Sequence, residues 1–360
     1  MSEIIEIDGS LYSGSGTILR YSVGLCALLG KELHIKNIRA KREKPGLRHQ
    51  HLKSVLACNE LVGGEVEHAE VGSLILTFKP GKVIKTGEYQ WDIGTAGSTT
   101  MLAMTVLPLL CFGRGSTKLK ISGGLFQDFA PSAFHIEQVL FPVLKKMGVE
   151  SHLTITRPGY VPAGEGIIEI KVKSVKDKLK PITSVEQGKI TELSGVALCS
   201  HLKEGRVSER MAESCNNLLK QREYAAKFDI LYDDTALQKG AALFVCAKTD
   251  TGCLIGSDMA GKLGRSSEKI GRYVSHTLLE DLDTKATVDR FLADQLIIYA
   301  ALADGVSEYI IPRMTDHIES NLWLVEKIIG AKTNVLENHL KIEGIGFNTN
   351  STKFLLNCQG

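Results

Sequence analysis

Three times along the chain an apolar helical pattern runs into a glycine and is followed by two stretches of strand type. This recurrence limits the fold more than any single motif does. The instances are Leu61-Val-Gly-Gly-Glu-Val-Glu leading to Ile75-Leu-Thr-Phe, Lys146-Met-Gly-Val-Glu leading to Ile168-Glu-Ile-Lys-Val, and Ile328-Ile-Gly-Ala-Lys leading to Leu340-Lys-Ile-Glu-Gly-Ile-Gly-Phe. The helix before the second glycine has the clearest period: Ile136, Val139, Leu140, Val143, Leu144 and Met147 share one face,. A chain of this kind is expected to be α+β, a large domain of three repeated β/α modules stacked on a common core.

The rhythm fails between about Val185 and Leu282, which reads as strand, helix, three strands, helix. That order predicts a separable inserted domain of thioredoxin-like topology over 185–282, leaving 1–184 and 283–360 as the large domain. The inserted stretch has no Cys-x-x-Cys, which removes thiol redox chemistry,. The eight cysteines of the whole chain are scattered and mostly lie in apolar surroundings. Free buried thiols in a reducing compartment are therefore expected, and the reading is cytoplasmic, or nuclear if the source is eukaryotic. No signal peptide is legible, and the longest apolar run, Met101 to Phe112, is broken by Pro108 and is too short to cross a bilayer,. No membrane partner is expected.

With 360 residues and a formal net charge of only +2, any affinity for a polyanion has to come from a local patch. One stretch qualifies. From Ile38 to Leu52 the chain carries Arg39, Lys41, Arg42, Lys44 and Arg48 against the single acid Glu43, followed by Gln50 and His51 at the start of a helical pattern. On charge alone this is a solvated loop. The Pro45-Gly46 turn and the helix after it place the cations near a helix N-terminus, where a phosphate is well held. Gly14-Ser15-Gly16 and Gly94-Thr-Ala-Gly-Ser98 are two further loops leading into helices. Neither is a P-loop or a dinucleotide fingerprint, and taken alone each reads as a tight turn rather than a phosphate cradle. Asp294-Gln295 lies on an apolar helix, where adjacent polar groups commonly turn to solvent,. His317 sits in Asp316-His-Ile-Glu319, which resembles a capping box with Asp316 as N-cap. At a helix start the dipole disfavours imidazolium, leaving a neutral ring able to act as a nucleophile beside N–H groups that can hold an anion.

Taken together these residues resemble the RNA 3′-terminal phosphate cyclase family. The matching pieces are Asp8-Gly9 with Gly14, Gly16 and Ile18-Leu-Arg20; Ile38-Arg-Ala with Arg42, Lys44-Pro-Gly-Leu and Gln50-His-Leu; Thr95-Ala-Gly-Ser; Gly123-Gly124 with Ala130-Pro131; Gly159-Tyr with Pro162; Phe291-Leu-Ala-Asp-Gln-Leu with Ala301-Leu-Ala; and His317. The resemblance implies three repeats like the C-terminal domain of translation initiation factor three, with a small domain inserted before the third. It implies an ATP-dependent ligase in which His317 is adenylylated, a divalent metal (Mg or Mn) assists, and AMP passes to an RNA 3′-phosphate end. The neighbouring 2′-hydroxyl then closes a 2′,3′-cyclic phosphate. By position, Pro131 and Phe291 would sandwich the adenine within a nucleotide site that includes Leu292, Ala293, Asp294 and Gln295. Arg20, Arg39, Arg42, Gln50 and His51 would hold the RNA phosphate.

The chain departs from the family pattern at the site. Ser13 stands where an acid would help hold the metal, Met104 where a glutamine is usual, Phe291 where a tyrosine is usual, and Glu165 within what is usually a triple glycine. The metal ligands are left unassigned, and the assembly state is left open between monomer and homodimer. Two other classes compete: a non-catalytic cyclase-like RNA-binding protein of ribosome assembly, which lacks the nucleophilic histidine, and an enolpyruvyl-transferase-like enzyme, which needs an anionic small-molecule site.

Overall fold

The computed structural model describes residues 3–349; Cys358 lies outside them. The first module runs β1 (Ile4–Asp8), α1 (Gly16–Leu29), β2 (Glu32–Lys36), α2 (His49–Val62), β3 (Glu65–Glu67) and β4 (Leu76–Lys79). The second runs β5 (Glu88–Asp92), α3 (Thr99–Cys111), β6 (Ser116–Gly123), then α4 (Ala133–His135), which continues through a π-helical turn at Ile136–Leu140 into α5 (Phe141–Lys146), and closes with β7 (Glu150–Arg157) and β8 (Gly166–Lys173). The third begins at the short strand β9 (Thr183–Ser184). An excursion follows through β10 (Ile190–Ser200), α6 (Val207–Lys220), β11 (Lys227–Asp233), β12 (Gly240–Thr249), β13 (Leu254–Ala260) and α7 (Ser267–Asp283). The module resumes with α8 (Leu292–Leu302), β14 (Val306–Ile310), α9 (Asp316–Leu324), a π-helical turn at Val325–Ile329, β15 (Lys332–Leu336) and β16 (His339–Glu343).

The three module sheets have one topology. Their orders are β1-β2-β4-β3, β5-β6-β8-β7 and β9-β14-β16-β15, with the first pair parallel and the next two antiparallel in each. The fold is therefore α+β, built from repeated β/α modules. The glycines that marked the repeat act alike each time: Gly63, Gly148 and Gly330 follow the second helix of their modules at φ 66, 101 and 82. A left-handed residue there ends the helix and turns the chain into the hairpin at little steric cost. One point of the sequence reading shifts. The excursion opens after the first strand of the third module, whereas the sequence placed it before that module, because β9 is only two residues long and carries no pattern of its own.

The first helix of each module is apolar on nearly every side, as a core helix must be. α1, α3 and α8 are buried along almost their whole lengths, and Tyr299 of α8 lies near Cys111 of α3 and Tyr21 of α1. α3 continues through Pro108 to Cys111, the apolar helix expected after the Gly94–Ser98 loop. The second helices are amphipathic, and Ile136, Val139, Leu140, Val143, Leu144 and Met147 are all buried. Strands β5 and β14 were not anticipated. β5, Glu-Tyr-Gln-Trp-Asp, does alternate, with Trp91 buried and Tyr89 half-buried between exposed residues, but two apolar positions make a weak signal.

The excursion forms a fourth sheet, ordered β11-β10-β12-β13. Its central strand shows why that sequence is continuously apolar. Leu243, Val245 and Ala247 face a core shared with α6 and α7. The alternate residues Ala242, Phe244 and Cys246 join the core of the main body, as the two-residue period of a strand requires. Among the described residues no helix is long and apolar enough to cross a membrane. The seven described cysteines are all buried and unpaired.

Candidate active site

Helix N-termini from all three modules meet at one end of the central helices, and short polar contacts tie them together. At the start of α1, Ser15 Oγ accepts the Thr17 N–H (3.3 Å). Gly16 lies so close to the His51 imidazole and the Arg20 guanidinium that a Cβ would collide with both. α2 begins after Arg48, whose side chain makes no cap. Gln50 in its first turn accepts the Ser98 N–H through Oε1 (3.0 Å), and Ser98 caps α3 by accepting the Met101 N–H (3.1 Å). Thr100 donates to the Pro131 carbonyl (2.8 Å) just ahead of α4. From the third module, Ser320 of α9 accepts the Ser13 N–H (3.2 Å) and donates to the Asp316 carbonyl (2.6 Å). Each helix start carries unpaired N–H groups and the positive end of a dipole. Their convergence makes a seat for anions.

Cations reinforce it. Arg20 is 7% exposed and donates to Thr17 Oγ1 (3.3 Å). Burial is the main cause drawing its pKa down to about 10, with Arg39 and Arg42 adding to the effect and Asp294 opposing it, so it stays charged at neutral pH. His51 is 3% exposed. Burial, then the fields of Arg20, Arg39, Arg42 and Arg48, push it down to about 2, so its ring is neutral. Of the basic stretch itself, Lys41, Arg42, Lys44 and Arg48 are exposed, as a solvated loop would have them, and Arg39 is half-buried; the buried groups are Arg20 and His51. Arg39 also closes the loop itself. Held at φ 56, it donates to the Lys44 and Gly46 carbonyls (2.7 and 2.8 Å).

His317 lies in the first turn of α9. Its Nδ1 is 3.4 Å from Asp294 Oδ2, with the imidazole side chain 38% exposed. Asp294 belongs to the first turn of α8, and its backbone carbonyl accepts from Asn321 of α9 (2.9 Å), which fixes the two helix starts against each other. Asp294 also lies within the field of Arg20. The reading of Asp294-Gln295 as solvent-facing is corrected: Gln295 is 3% exposed, and its buried Oε1 has no partner among the described residues. Leu292 and Ala293 are buried, and the Ala293 carbonyl accepts from the Tyr309 hydroxyl (3.2 Å).

Both faces of the anticipated adenine slot are braced from one inserted strand. Asp258 of β13 accepts the N–H of Ser132, next to Pro131 (2.9 Å). Gly256 of β13 donates to Asp289 (2.8 Å), which also accepts the Phe291 and Leu292 N–H groups (2.8 Å each). Asp289 pairs with His135 Nε2 at 3.0 Å, both side chains fully buried, and the Phe291 ring stands edge-on to His135 at 5.5 Å. Burial pulls the His135 pKa down, but Asp289 more than offsets it, so the pKa is raised.

Two expectations change in detail. The N-cap of α9 is Thr315, whose hydroxyl accepts the Ile318 N–H (3.2 Å), and Asp316 is the first helical residue. His317 is therefore second in the helix, and the capping box does not form. Ser13, at the position of the expected metal-holding acid, is a neutral hydroxyl 2.8 Å from Ser320 Oγ and 3.0 Å from Ser15 Oγ. Among the described residues no group of three His, Cys, Asp or Glu side chains could hold a metal ion. The residues present do not fit a protein-built divalent site.

The family model described as RNA 3′-terminal phosphate cyclase matches residues 11–335. The chain belongs to that family. Within the cyclase family it is similar to curated relatives bearing the same name: the protein of Pyrobaculum aerophilum is 34% identical over 348 residues, 96% of this chain and 99% of the relative. That of Pyrococcus furiosus is 37% identical, covering 91% and 94%, and that of Methanopyrus kandleri is 35% identical, covering 92% and 95%. These are cyclases by name, which sets this family member with that branch.

Sequence reasoning did not find the His135–Asp289 pair, the Gln50 link to Ser98 or the Ser13–Ser320 link. Each joins residues far apart in the chain, and no local pattern announces any of them. Arg48 was visible as part of the basic run but was given no role.

Proposed function

We propose that this protein converts an RNA 3′-terminal phosphate to a 2′,3′-cyclic phosphate at the expense of ATP, by way of an adenylyl-histidine at His317. The carrying observation is the placement of His317, in the first turn of α9 and 3.4 Å from Asp294, which in turn lies in the field of the buried Arg20. With Asp294 accepting from Nδ1–H, the lone pair rests on Nε2. That nitrogen forms a bond to the α-phosphorus of ATP as the bridging bond to the β-phosphate breaks and pyrophosphate leaves. The phosphoramidate then gives AMP to the terminal phosphate held by Arg20, Arg42 and His51. Attack by the vicinal 2′-hydroxyl closes the ring and expels AMP. Fixed dipoles and guanidinium groups stabilise the charge that builds on phosphorus in each step.

Pro131 and Phe291 bound the base, and the unpartnered Gln295 Oε1 supplies a buried acceptor toward the nucleotide. In this reading 1–184 and 283–360 form the catalytic body, and 185–282 is an inserted unit that braces the nucleotide side. The buried unpaired thiols support a reducing compartment such as the cytoplasm. Incubation with α-labelled ATP and Mg2+ tests the proposal: acid-labile, alkali-stable label should appear on the protein and vanish in His317→Ala. Absence of label, or label independent of His317, rejects it.

A further inference from the structure

One side chain near the site has no use in that scheme. Phe129 is 98% exposed and is held at φ 67, a conformation rare for a bulky residue. The loop that carries it is clamped on both sides. Before it, the Gln127 carboxamide, once its oxygen and nitrogen are assigned by the surrounding donors and acceptors, donates to the Ala96 carbonyl (2.8 Å) and accepts the Ser98 N–H (3.3 Å),, the group that also binds Gln50. Asp128 takes a bidentate pair from Arg265 (2.8 and 2.9 Å), with Lys262 at 3.7 Å. After it, Thr100 holds the Pro131 carbonyl. Phe129 is thus two residues from the partner of the phosphate grip and two from the adenine slot, no more than about 7.6 Å of chain either way. Lys262 and Arg265 also line a neighbouring cavity of about 600 Å³, together with Arg210 and Lys239; Asp128 pairs with the first two and Glu268 with Arg210.

An apolar ring that folding leaves in water, on a clamped and strained backbone, gains nothing for the fold. Two residues from the adenine slot and beside a pocket that would hold a phosphate, the ligand that suits it carries a planar π face and a negative backbone. We propose that Phe129 is a stacking platform for a nucleobase at the 3′ end of the RNA. The phosphate is held by the Arg20–Arg42–His51 pocket and the upstream backbone passes Lys262. The inference rests on the reading of the substrate as an RNA 3′-phosphate end, and it adds to the phosphate grip a contact that every base can make.

The test compares a 3′-phosphorylated oligoribonucleotide with the same strand carrying abasic residues at its two 3′-terminal positions, bound to wild type, Phe129→Ala and Phe129→Trp. Phe129→Ala should weaken the intact strand on the order of tenfold and leave the abasic strand unchanged, while Phe129→Trp should bind the intact strand at least as well as wild type. ATP binding should be the same in all three. Equal loss on both strands, a loss confined to ATP, or a change in oligomeric state with RNA binding intact would each overturn the proposal. The contrast is measured on any single strand the protein binds, so it stays readable if preference for 3′-phosphate is absent, which would instead reject the substrate reading. Because the side chain touches solvent on nearly all sides, neither variant threatens folding.

Discussion

Two histidines occupy the first turns of two helices in this site and are held in opposite ways. His51, third residue of α2, is buried beneath Gly16 and ringed by arginines. His317, second residue of α9, keeps more than a third of its side chain in solvent and has one long contact, to Asp294. The difference matches two roles. A group that recognises a phosphate benefits from a fixed, desolvated position in which fewer degrees of freedom are lost on binding. A group that must take AMP from one molecule and pass it to another needs an exposed nitrogen. Burial decides which of the two can move.

This contrast can be broken in order of expected effect. His317→Ala should abolish adenylylation altogether, whereas His51→Ala should leave protein labelling intact and impair only the transfer to RNA, as seen in a single-turnover assay with preadenylylated enzyme. If both variants lose labelling equally, the division of labour is wrong. Arg42→Ala should cost about 10- to 100-fold in binding 3′-phosphate ends, the range expected for a charge-assisted hydrogen bond, with much less change for 3′-hydroxyl ends. Equal loss for the two ends would make Arg42 a backbone contact. Asp294→Ala should slow adenylylation roughly tenfold by freeing the His317 tautomer, with Asp294→Asn recovering part of the rate because its carbonyl still accepts from Nδ1. A labelling rate unaffected by either variant would remove Asp294 from the mechanism.

The smallest effect is on stability. The folded pKa of His51 lies near 2, below its ordinary value of 6.5, so the unfolded chain binds a proton that the native chain refuses. The group's contribution to stability is complete above pH 6.5 and falls as the solution is acidified. Between pH 7.5 and 5.5 the loss should be about 1.4 kcal/mol. Denaturant titrations at the two pH values should show this drop in wild type and a smaller one in His51→Gln; the same drop in both proteins would mean that other groups carry it.

How much of this could be read in advance follows from the range of each signal. The repeat was legible because Gly63, Gly148 and Gly330 each answer a local demand for a left-handed helix end, and the 136–147 helix because its period is unbroken. The excursion was legible as βαβββα because β12 and α7 are long. Strands β5 and β9 carried too little burial or length to be seen. The start of α9 was off by one residue because Thr315 and Asp316 are both good caps, and the hydroxyl took the role. At the site, the cationic run and the helical setting of His317 were visible, but their meeting was not. That meeting depends on contacts such as Ser13 to Ser320 across 307 positions, whose cause is the stacking of modules and leaves no trace in local sequence.

The position of the excursion has a consequence for the order of assembly. β9 must find β14 across the whole of β10 to α8, pairing Thr183 with Glu308, so the third sheet closes the longest loop of any strand pairing among the described residues. Folding the intervening unit first shortens the effective loop and lowers that entropic cost. The phosphate pocket, by contrast, is complete within the first two modules. On the proposed reading, the residues that would hold the RNA end are made well before the nucleophile, and activity would begin only when the last module shuts. Pulse-labelling hydrogen exchange during refolding should show β10 and β12 amides protected before those of β14, and the reverse order would refute this sequence of events.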